Sequence, residues 1–390
     1  MIDKIITEKN CTGCTACVNI CPKNCISMIE DKEGFLQPKV DYDKCIKCRM
    51  CERTCPVLNG FKAKENHKPE VYAAWSLNEE IRINSTSGGI FSELAKYVLN
   101  QGGVVFGARY NENNNIEHHM IDRIEEIPIL RQSKYAQSNK KNSYKEAKKK
   151  LLEDCLVLFC GAPCEIGGLL SYLNKPYENL ITCDFVCRGT NSPKVYRKYL
   201  DYMEKKYDSK IAKVWFKNKT YGWNRFSTQL EFANGKKYIK DRYNDIFMRG
   251  YIEKDLYMRL CCEECKFKEI PRNADISLAD FWGIGSVKKE LDEDKGTSLV
   301  MLNSSKGLEL FEKIVDNIYY EKSSFEVGVK GNPCIVKSAG MSEKRNAFFK
   351  DIDKYEFDVL LKKYINDSLK VRMHRFLSRT KCKIKYIIKK

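Results

Sequence analysis

Apolar positions fall into two patterns along the chain. Residues 71–75, 103–108, 155–159 and 180–187 are near-continuous apolar runs, as in strands buried on both faces. Between them lie segments with helical spacing. Residues 90–99 form one, opened by Ser85-Thr86-Ser87-Gly88-Gly89. The Lys-rich stretch 140–151 predicts a surface helix with Tyr144, Ala147 and Leu151 facing inward. Ser192-Pro193 supplies an N-cap and a first-turn proline for a helix carrying Val195, Tyr199 and Met203.

From about residue 211 the pattern turns antiparallel. Residues 212–216 and 226–232 alternate with period two, and Asn234-Gly235 predicts a hairpin into 237–239. Strands are expected at 274–283 and 298–302, and a helix at 305–316. Near the start, Ile5-Ile6 and residues 35–38 read as short strands, with short helices near Val18 and Glu52. The class is α+β or mixed α/β: a small N-terminal module followed by a larger α/β domain.

Cysteine spacing changes this picture. Cys11, Cys14, Cys17 and Cys21-Pro22 follow C-x2-C-x2-C-x3-C-P, and Cys45, Cys48, Cys51 and Cys55-Pro56 repeat it. In two-cluster ferredoxins this run holds cubane clusters, the fourth Cys of each copy reaching across to the other cluster. Cys11, Cys14, Cys17 and Cys55 are thus assigned to one [4Fe–4S] cluster, and Cys45, Cys48, Cys51 and Cys21 to a second. Zinc knuckles need only paired C-x2-C ligands, not a third Cys or a Cys-Pro. Cys25 reads as a spare, small core residue.

The chain has 390 residues, 19 of them Cys, and 43% hydrophobic content, enough for two or three domains. No secretory signal or apolar run long enough to span a bilayer is evident, so a reducing, cytoplasmic setting is expected. The formal charge is +17. With no zinc-finger histidine pair and no RNA-binding signature, nucleic acid is not the expected partner. Docking of an acidic electron carrier, ferredoxin or flavodoxin, is the more useful reading, and it should weaken with salt. The basic segment 370–390 reads either as a membrane-surface contact or as a solvated tail.

A second cysteine set is dispersed. Cys164 follows one apolar run, Cys187 ends the next, and Cys262 and Cys265 form a C-x2-C. Strand ends are where α/β sheets build sites, so these four could converge on a third [4Fe–4S] cluster. Structural cysteines or a zinc site explain the spacing equally well. Cys160, Cys183 and Cys261 compete as ligands, and Cys183 and Cys187 are expected on one side of a strand. Cys155, Cys334 and Cys382 read as structural. The absence of C-x3-C-x2-C argues against a radical SAM enzyme.

Six local motifs, in order, resemble one family. Residues 159–169, FCGAPCEIGGL, resemble the F-x-G-x-P-C-Q-I-x-G-L segment of the coenzyme F-420 hydrogenase/dehydrogenase beta-subunit family. Cys187-Arg188-Gly189 with Ser192-Pro193 resembles its V-C-H-G-x-x-S-P, and residues 262–267 its C-Y-x-C-x-F. Asp275-Ile276 with residues 280–283 resembles S-D-I-x-x-G-D-F-W-G. Ser87-Gly88-Gly89 and Ser133-Lys134-Tyr135 resemble its S-S-G-G and S-K-Y.

The resemblance implies an iron–sulfur flavoprotein that binds FAD without a Rossmann fingerprint and carries a cluster in its catalytic domain. It supports Cys164, Cys187, Cys262 and Cys265 as ligands. The expected organisation is a ferredoxin-type domain at 1–60, a linker at 61–70, the two parts of the catalytic domain at 71–155 and 156–360, and a basic tail at 361–390. Glu165 replaces the usual Gln, Arg188 the usual His and Cys160 the usual Ser or Thr. Arg188 is expected to favour an anionic flavin or substrate, or to pair with Asp184.

The expected chemistry carries electrons from a low-potential donor through the clusters to FAD and an organic acceptor. A deazaflavin-coenzyme oxidoreductase and a non-catalytic electron-transfer subunit are the alternatives. Ser87, Gly88 and Gly89 are candidates for the flavin phosphate, although an ordinary helix start explains them too. Lys134 and Tyr135 are catalytic candidates for flavin contact or proton donation, against a surface Lys and a core Tyr. Asp280 and Trp282 are candidates for the same pocket, and His118-His119 read as loop or strand residues.

Overall fold

The computed structural model describes residues 1–60 and 68–365. The linker residues 61–67 and nearly all of the expected basic tail lie outside the described residues; 361–365 belong to the helix Phe357–Ile365.

In the N-terminal module, β1 (Ile26–Glu30) and β2 (Leu36–Val40) pair antiparallel. Each Cys run leads into a short helix, Ala16–Ile20 and Met50–Arg53, as its spacing predicts. Ile5-Ile6 is not a strand. Ile2–Ile5 forms one helical turn that buries Ile2, and Ile6 is buried just beyond it. Two adjacent apolar residues carry no periodicity, so packing decides their conformation.

The larger domain is built on an eight-stranded mixed sheet. Its strands in chain order are β3 (Glu70–Ser76), β4 (Val104–Tyr110), β5 (Ile116–Ile121), β6 (Val157–Gly161), β7 (Leu180–Phe185), then, after a separate sheet of β8 (Ile211–Asn218), β9 (Ser227–Phe232) and β10 (Lys237–Asp241), β11 (Ile276–Asp280), β12 (Ser298–Leu302) and β13 (Ile318–Ser323). The spatial order is β13-β3-β12-β11-β7-β6-β4-β5. The centre, β4-β6-β7-β11, is parallel, and its flanks are antiparallel.

Both faces of this centre are covered, which is why its strands read as unbroken apolar runs. Along β6, Leu158 packs with Ile90, Leu94 and Val98 of the helix Ile90–Asn100. Val157 and Phe159 point the other way, onto Tyr144, Ala147 and Leu151 of the helix Ser143–Leu152 and Ile166 and Leu169 of the helix Pro163–Leu173. The three predicted inward positions of the Lys-rich helix are all buried. Ser192 caps the helix Pro193–Tyr207, its hydroxyl accepting from the Val195 N–H at 3.2 Å.

A second, aromatic core lies between the three-stranded sheet and the helices Pro193–Tyr207, Ile246–Ile252 and Phe357–Ile365. Tyr199, Phe216, Phe247, Tyr257 and Phe357 are among its residues. Its closing helix, Phe357–Ile365, has no counterpart among the elements expected from the sequence.

Candidate functional site

The module gathers its motif cysteines in its small core and in the cavity beside it, except Cys14, which packs with the large domain. Burial and the neighbouring Cys11 and Cys55 sulfurs hold the Cys14 thiol up, and the Cys17 thiol is pushed well up by burial and by Cys14, Cys11, Cys55 and Cys51. A separate cavity of ≈ 20 Å³ is lined by Cys45, Cys48 and Cys51 together with Cys21. Cys25 shares that cavity, with its sulfur 3.4 Å from that of Cys21. It is a buried member of the module's core, and its thiol also faces the second group.

The first group is pressed against the large domain. Gly168 lies on the helix Pro163–Leu173, and a Cβ there would come within 3.0 Å of the Cys14 sulfur. Arg259, almost fully buried, ties the two parts. It donates to the Cys11 carbonyl at 2.6 Å, the Leu36 carbonyl at 2.9 Å and Gln137 Oε1 at 2.8 Å. Gln137 Nε2 donates in turn to the Thr12 carbonyl at 3.0 Å. Arg345 donates to Glu33 Oε1 at 2.9 Å and to the Met258 carbonyl at 2.7 Å.

At this seam lies a cavity of ≈ 120 Å³ lined by Cys164, Cys187, Cys262 and Cys265. Cys164 stands in the first turn of the helix that follows β6, and Cys187 lies just past β7. Both come from the C-terminal edge of the parallel strands, while the C-x2-C loop closes from the other side. Asn10 and Thr12, beside Cys11, complete the wall. Four softly ligating thiols around one cavity suit a cubane cluster. Among the described residues, no three His, Cys, Asp or Glu side chains close on a single metal ion.

Cys261 also lines this cavity and, by hydrogen bonding to Cys262, holds the Cys262 thiol down to about 7. Burial pushes Cys187 up to about 12 and Cys164 well above its ordinary value. Cys160 and Cys183 instead face each other across β6 and β7. Cys183 packs in the sheet core, so it and Cys187 do not share a site.

Behind Cys164 is a buried charged group. Lys140, fully buried, lies 2.6 Å from Glu165 Oε1. Glu165 Oε2 accepts the Ala162 N–H at 2.8 Å and lies 3.7 Å from His118 Nε2. His118 Nδ1 is 2.6 Å from Ser138 Oγ. Burial pulls the His118 pKa down. Burial raises that of Glu165, but Lys140 and His118 outweigh it and the net shift is downward.

A third constellation gathers three motifs far apart in sequence. Ser87 Oγ donates to the Thr297 carbonyl at 2.9 Å, and the Gly88 N–H donates to Ser298 Oγ at 2.9 Å. Thr86 Oγ1 sits 3.1 Å from Ser133 Oγ, which joins this turn to the segment of Lys134 and Tyr135. Asp280, at the end of β11, pairs with Lys217 and accepts from the Trp223 indole at 2.7 Å. Trp223 stacks on Trp282 at 4.7 Å. Lys217 stands in the left-handed region at a register shift in β8, where a bulge re-aims its side chain. Its pKa is lowered by burial but raised more by Asp280 and Tyr135.

Lys134 spends its ammonium on the carbonyls of Ile129, Leu130, Arg131 and Gln132, and burial brings its pKa down to about 7. Gly88 admits no side chain: a Cβ would lie 2.9 Å from Trp75 Cα and 3.0 Å from the Ser298 nitrogen. We expect Gly88→Ala to lose about 1–3 kcal/mol of stability, read as a lowered unfolding midpoint, because backbone atoms cannot move aside.

Residues 71–142 match the family model for the N-terminal part of the coenzyme F420 hydrogenase/dehydrogenase beta subunit, and residues 154–327 match the model for its C-terminal part. The chain belongs to the coenzyme F420 hydrogenase/dehydrogenase beta-subunit family. Residues 10–59 match a 4Fe-4S dicluster domain, so this family member carries [4Fe–4S] clusters in its N-terminal module. It is an iron–sulfur electron-transfer protein related to oxidoreductase subunits.

Among its relatives, the F subunit of the F(420)H(2) dehydrogenase of Methanosarcina mazei is 22% identical over 81% of this chain and 91% of its own length. The PorD subunit of the pyruvate synthase of Methanocaldococcus jannaschii is 36% identical over 16% of this chain and 66% of its own length. A chain of the F420-reducing [NiFe] hydrogenase complex from Methanosarcina barkeri superposes with TM-score 0.46 at 15% identity, over 78% of this chain and 94% of that one.

Two departures from the family motifs now have physical settings. Glu165 is matched by the buried Lys140 cation. Arg188 pairs with Asp255 at 2.8 Å, not with Asp184, whose carboxylate lies 2.8 Å from Arg272. Lys140, Lys217, Trp223 and Arg259 were not singled out from the sequence. Each is an ordinary residue within a predicted element or loop, and only its distant partner makes it notable. Among the described residues, no helix is long and apolar enough to cross a membrane.

Proposed function

We propose that the chain is an iron–sulfur flavoprotein oxidoreductase. It takes electrons from an external low-potential carrier such as ferredoxin at its N-terminal module and delivers them to an organic acceptor at the large domain. The observation that carries this reading is the shared wall: the cavity of Cys164, Cys187, Cys262 and Cys265 is closed by residues beside Cys11. Clusters supply one-electron relay, and FAD supplies the conversion to a hydride equivalent.

The chain's residues divide the work. The module's eight motif cysteines hold two clusters, and the four cavity cysteines hold the third. Arg259 keeps the module and the third site in one register. FAD belongs where Ser87–Gly89, Ser133–Tyr135 and Asp280–Trp282 converge. What supports this placing is that the three motifs meet there, beside the stacked Trp223 and Trp282 and the Lys217–Asp280 pair. The hydrogen bonds of Ser87 and Gly88 shape the turn. Tyr135, edge-on to Tyr251 and beside Lys217, is the better-placed proton donor. Lys134 is tied to carbonyls.

Anaerobically prepared protein is expected to hold about twelve irons per chain, at four per cubane, and to release FAD on heat denaturation. About eight irons removes the third cluster, and no released flavin removes FAD. A second reading is favoured by the near-full-length match to a dehydrogenase subunit: the chain then serves a larger complex, with a deazaflavin coenzyme as its redox partner. Acceptor reduction by the isolated chain separates the two.

A further inference from the structure

The two cysteine runs are repeats, yet the fold treats them oppositely. In the first run Gly13, Cys14 and Thr15 are buried against the large domain. The matching residues of the second, Lys47, Cys48 and Arg49, are all exposed. Ile46, which matches Thr12, is 57% exposed.

Backbone shape is conserved between the copies. Gly13 and Thr15 have φ of 66° and 67°, and Lys47 and Arg49 have 55° and 59°. Left-handed backbone suits glycine and disfavours any residue with a Cβ. In the first copy the large domain enforces that preference, since a Cβ on Gly13 would lie 3.0 Å from Arg259. In the second copy nothing presses on the loop, and both positions carry long cations.

Lys23, Ile46 and Arg49 line the same cavity as Cys21, Cys45, Cys48 and Cys51. Lys23 and Lys47 have no ion pair among the described residues. Arg49 reaches Glu52 only at 4.0 Å, and Lys44 is matched by Asp41 at 2.8 Å. The exposed edge of the second thiol group therefore carries three cations, Lys23, Lys47 and Arg49, around the exposed Ile46, against the acidic Asp43 and Glu52. Obligate interfaces are larger and more apolar, whereas redox encounters are small and charged.

We propose that the loop Cys45–Cys51, with Lys23, Lys47 and Arg49 around Ile46 and Cys48, is the docking surface for a soluble acidic one-electron carrier. This rests on the reading of the module as the electron entry and names the face that receives the donor. A cluster held by Cys45, Cys48, Cys51 and Cys21 would accept the one electron that the reduced carrier loses, with no bond formed and no proton required. The cations raise the encounter rate through long-range attraction, which salt screens.

The test uses full-length, cluster-loaded protein and a reduced two-cluster ferredoxin of net negative charge as donor. The double variant Lys47→Glu with Arg49→Glu is expected to slow the second-order reduction at low salt by about tenfold or more. The wild-type rate should fall steeply with added salt, and the variant's should not. Iron content and reduction by photoreduced neutral 5-deazariboflavin should stay at wild-type values. The control, Lys236→Glu with Lys237→Glu on the β9–β10 hairpin, changes net charge equally and should keep the wild-type rate.

A charge-reversed loop reduced as fast as wild type overturns the proposal, as does a wild-type rate indifferent to salt, the result expected if a permanently bound protein covers this face. Wild-type protein reduced by deazariboflavin but not by the ferredoxin also overturns it, leaving the electron-transfer reading intact. Protein reduced by neither donor removes that reading as well.

Discussion

Lys140→Met is expected to lower stability by about 3–5 kcal/mol, because it strands a carboxylate in the interior. Lys140 is fully buried, and its ammonium is the nearest cation to Glu165. The double variant Lys140→Met with Glu165→Gln should regain most of the loss, since the neutral amide has no charge to bury and can still accept the Ala162 N–H. Unfolding midpoints of the anaerobic proteins check both results. If the single variant unfolds with wild type, Glu165 is not held by Lys140.

The same group sets an acid limit. Glu165 is held below its ordinary value, so its contribution is complete above the unfolded carboxyl value near 4.3 and is lost as pH falls through the lower folded value. His118 is also depressed. Below about 6.5 the unfolded chain takes up the proton first, which favours unfolding. Both effects weaken the fold as pH falls, His118 first.

Cys164→Ala is expected to remove about four of about twelve irons while leaving the module's clusters in place. Cys164 enters the cavity from the start of a helix packed on β6, whereas the module's eight motif cysteines lie on the other side of the seam. Flavin reduction by ferredoxin should stop with it. Cys261 lies in the same cavity and is positioned to substitute as a ligand, so the double variant with Cys261→Ala completes the measurement. Twelve irons retained in the double variant would exclude Cys164 as a ligand.

The parts legible in sequence share one property: their signal is local. The cysteine runs, the apolar strands and the Ser192-Pro193 helix start each carry their pattern within a dozen residues. Lys217 shows the opposite case. Nothing in its neighbourhood marks it, because its meaning comes from Asp280, 63 residues away. Arg259 is more extreme, reaching a carbonyl 248 residues back. Of the two readings of Arg188, an anionic ligand or a pair with Asp184, the second does not hold, because Arg272 occupies that carboxylate and Arg188 pairs with Asp255. The dispersed cysteines were intermediate. Strand ends could be read, but only the sheet order brings Cys164 and Cys187 to one edge.

The seat of the module also has a consequence for synthesis. Glu33 leaves the ribosome 312 residues ahead of its partner Arg345. At roughly 5–20 residues per second that interval is on the order of 15–60 s. Over that time the module has its own small core around Ile2, Ile26 and Val40, joined in turn by the ties from Gln137 and Arg259. Of the two parts, the module is made before the residues that fasten it.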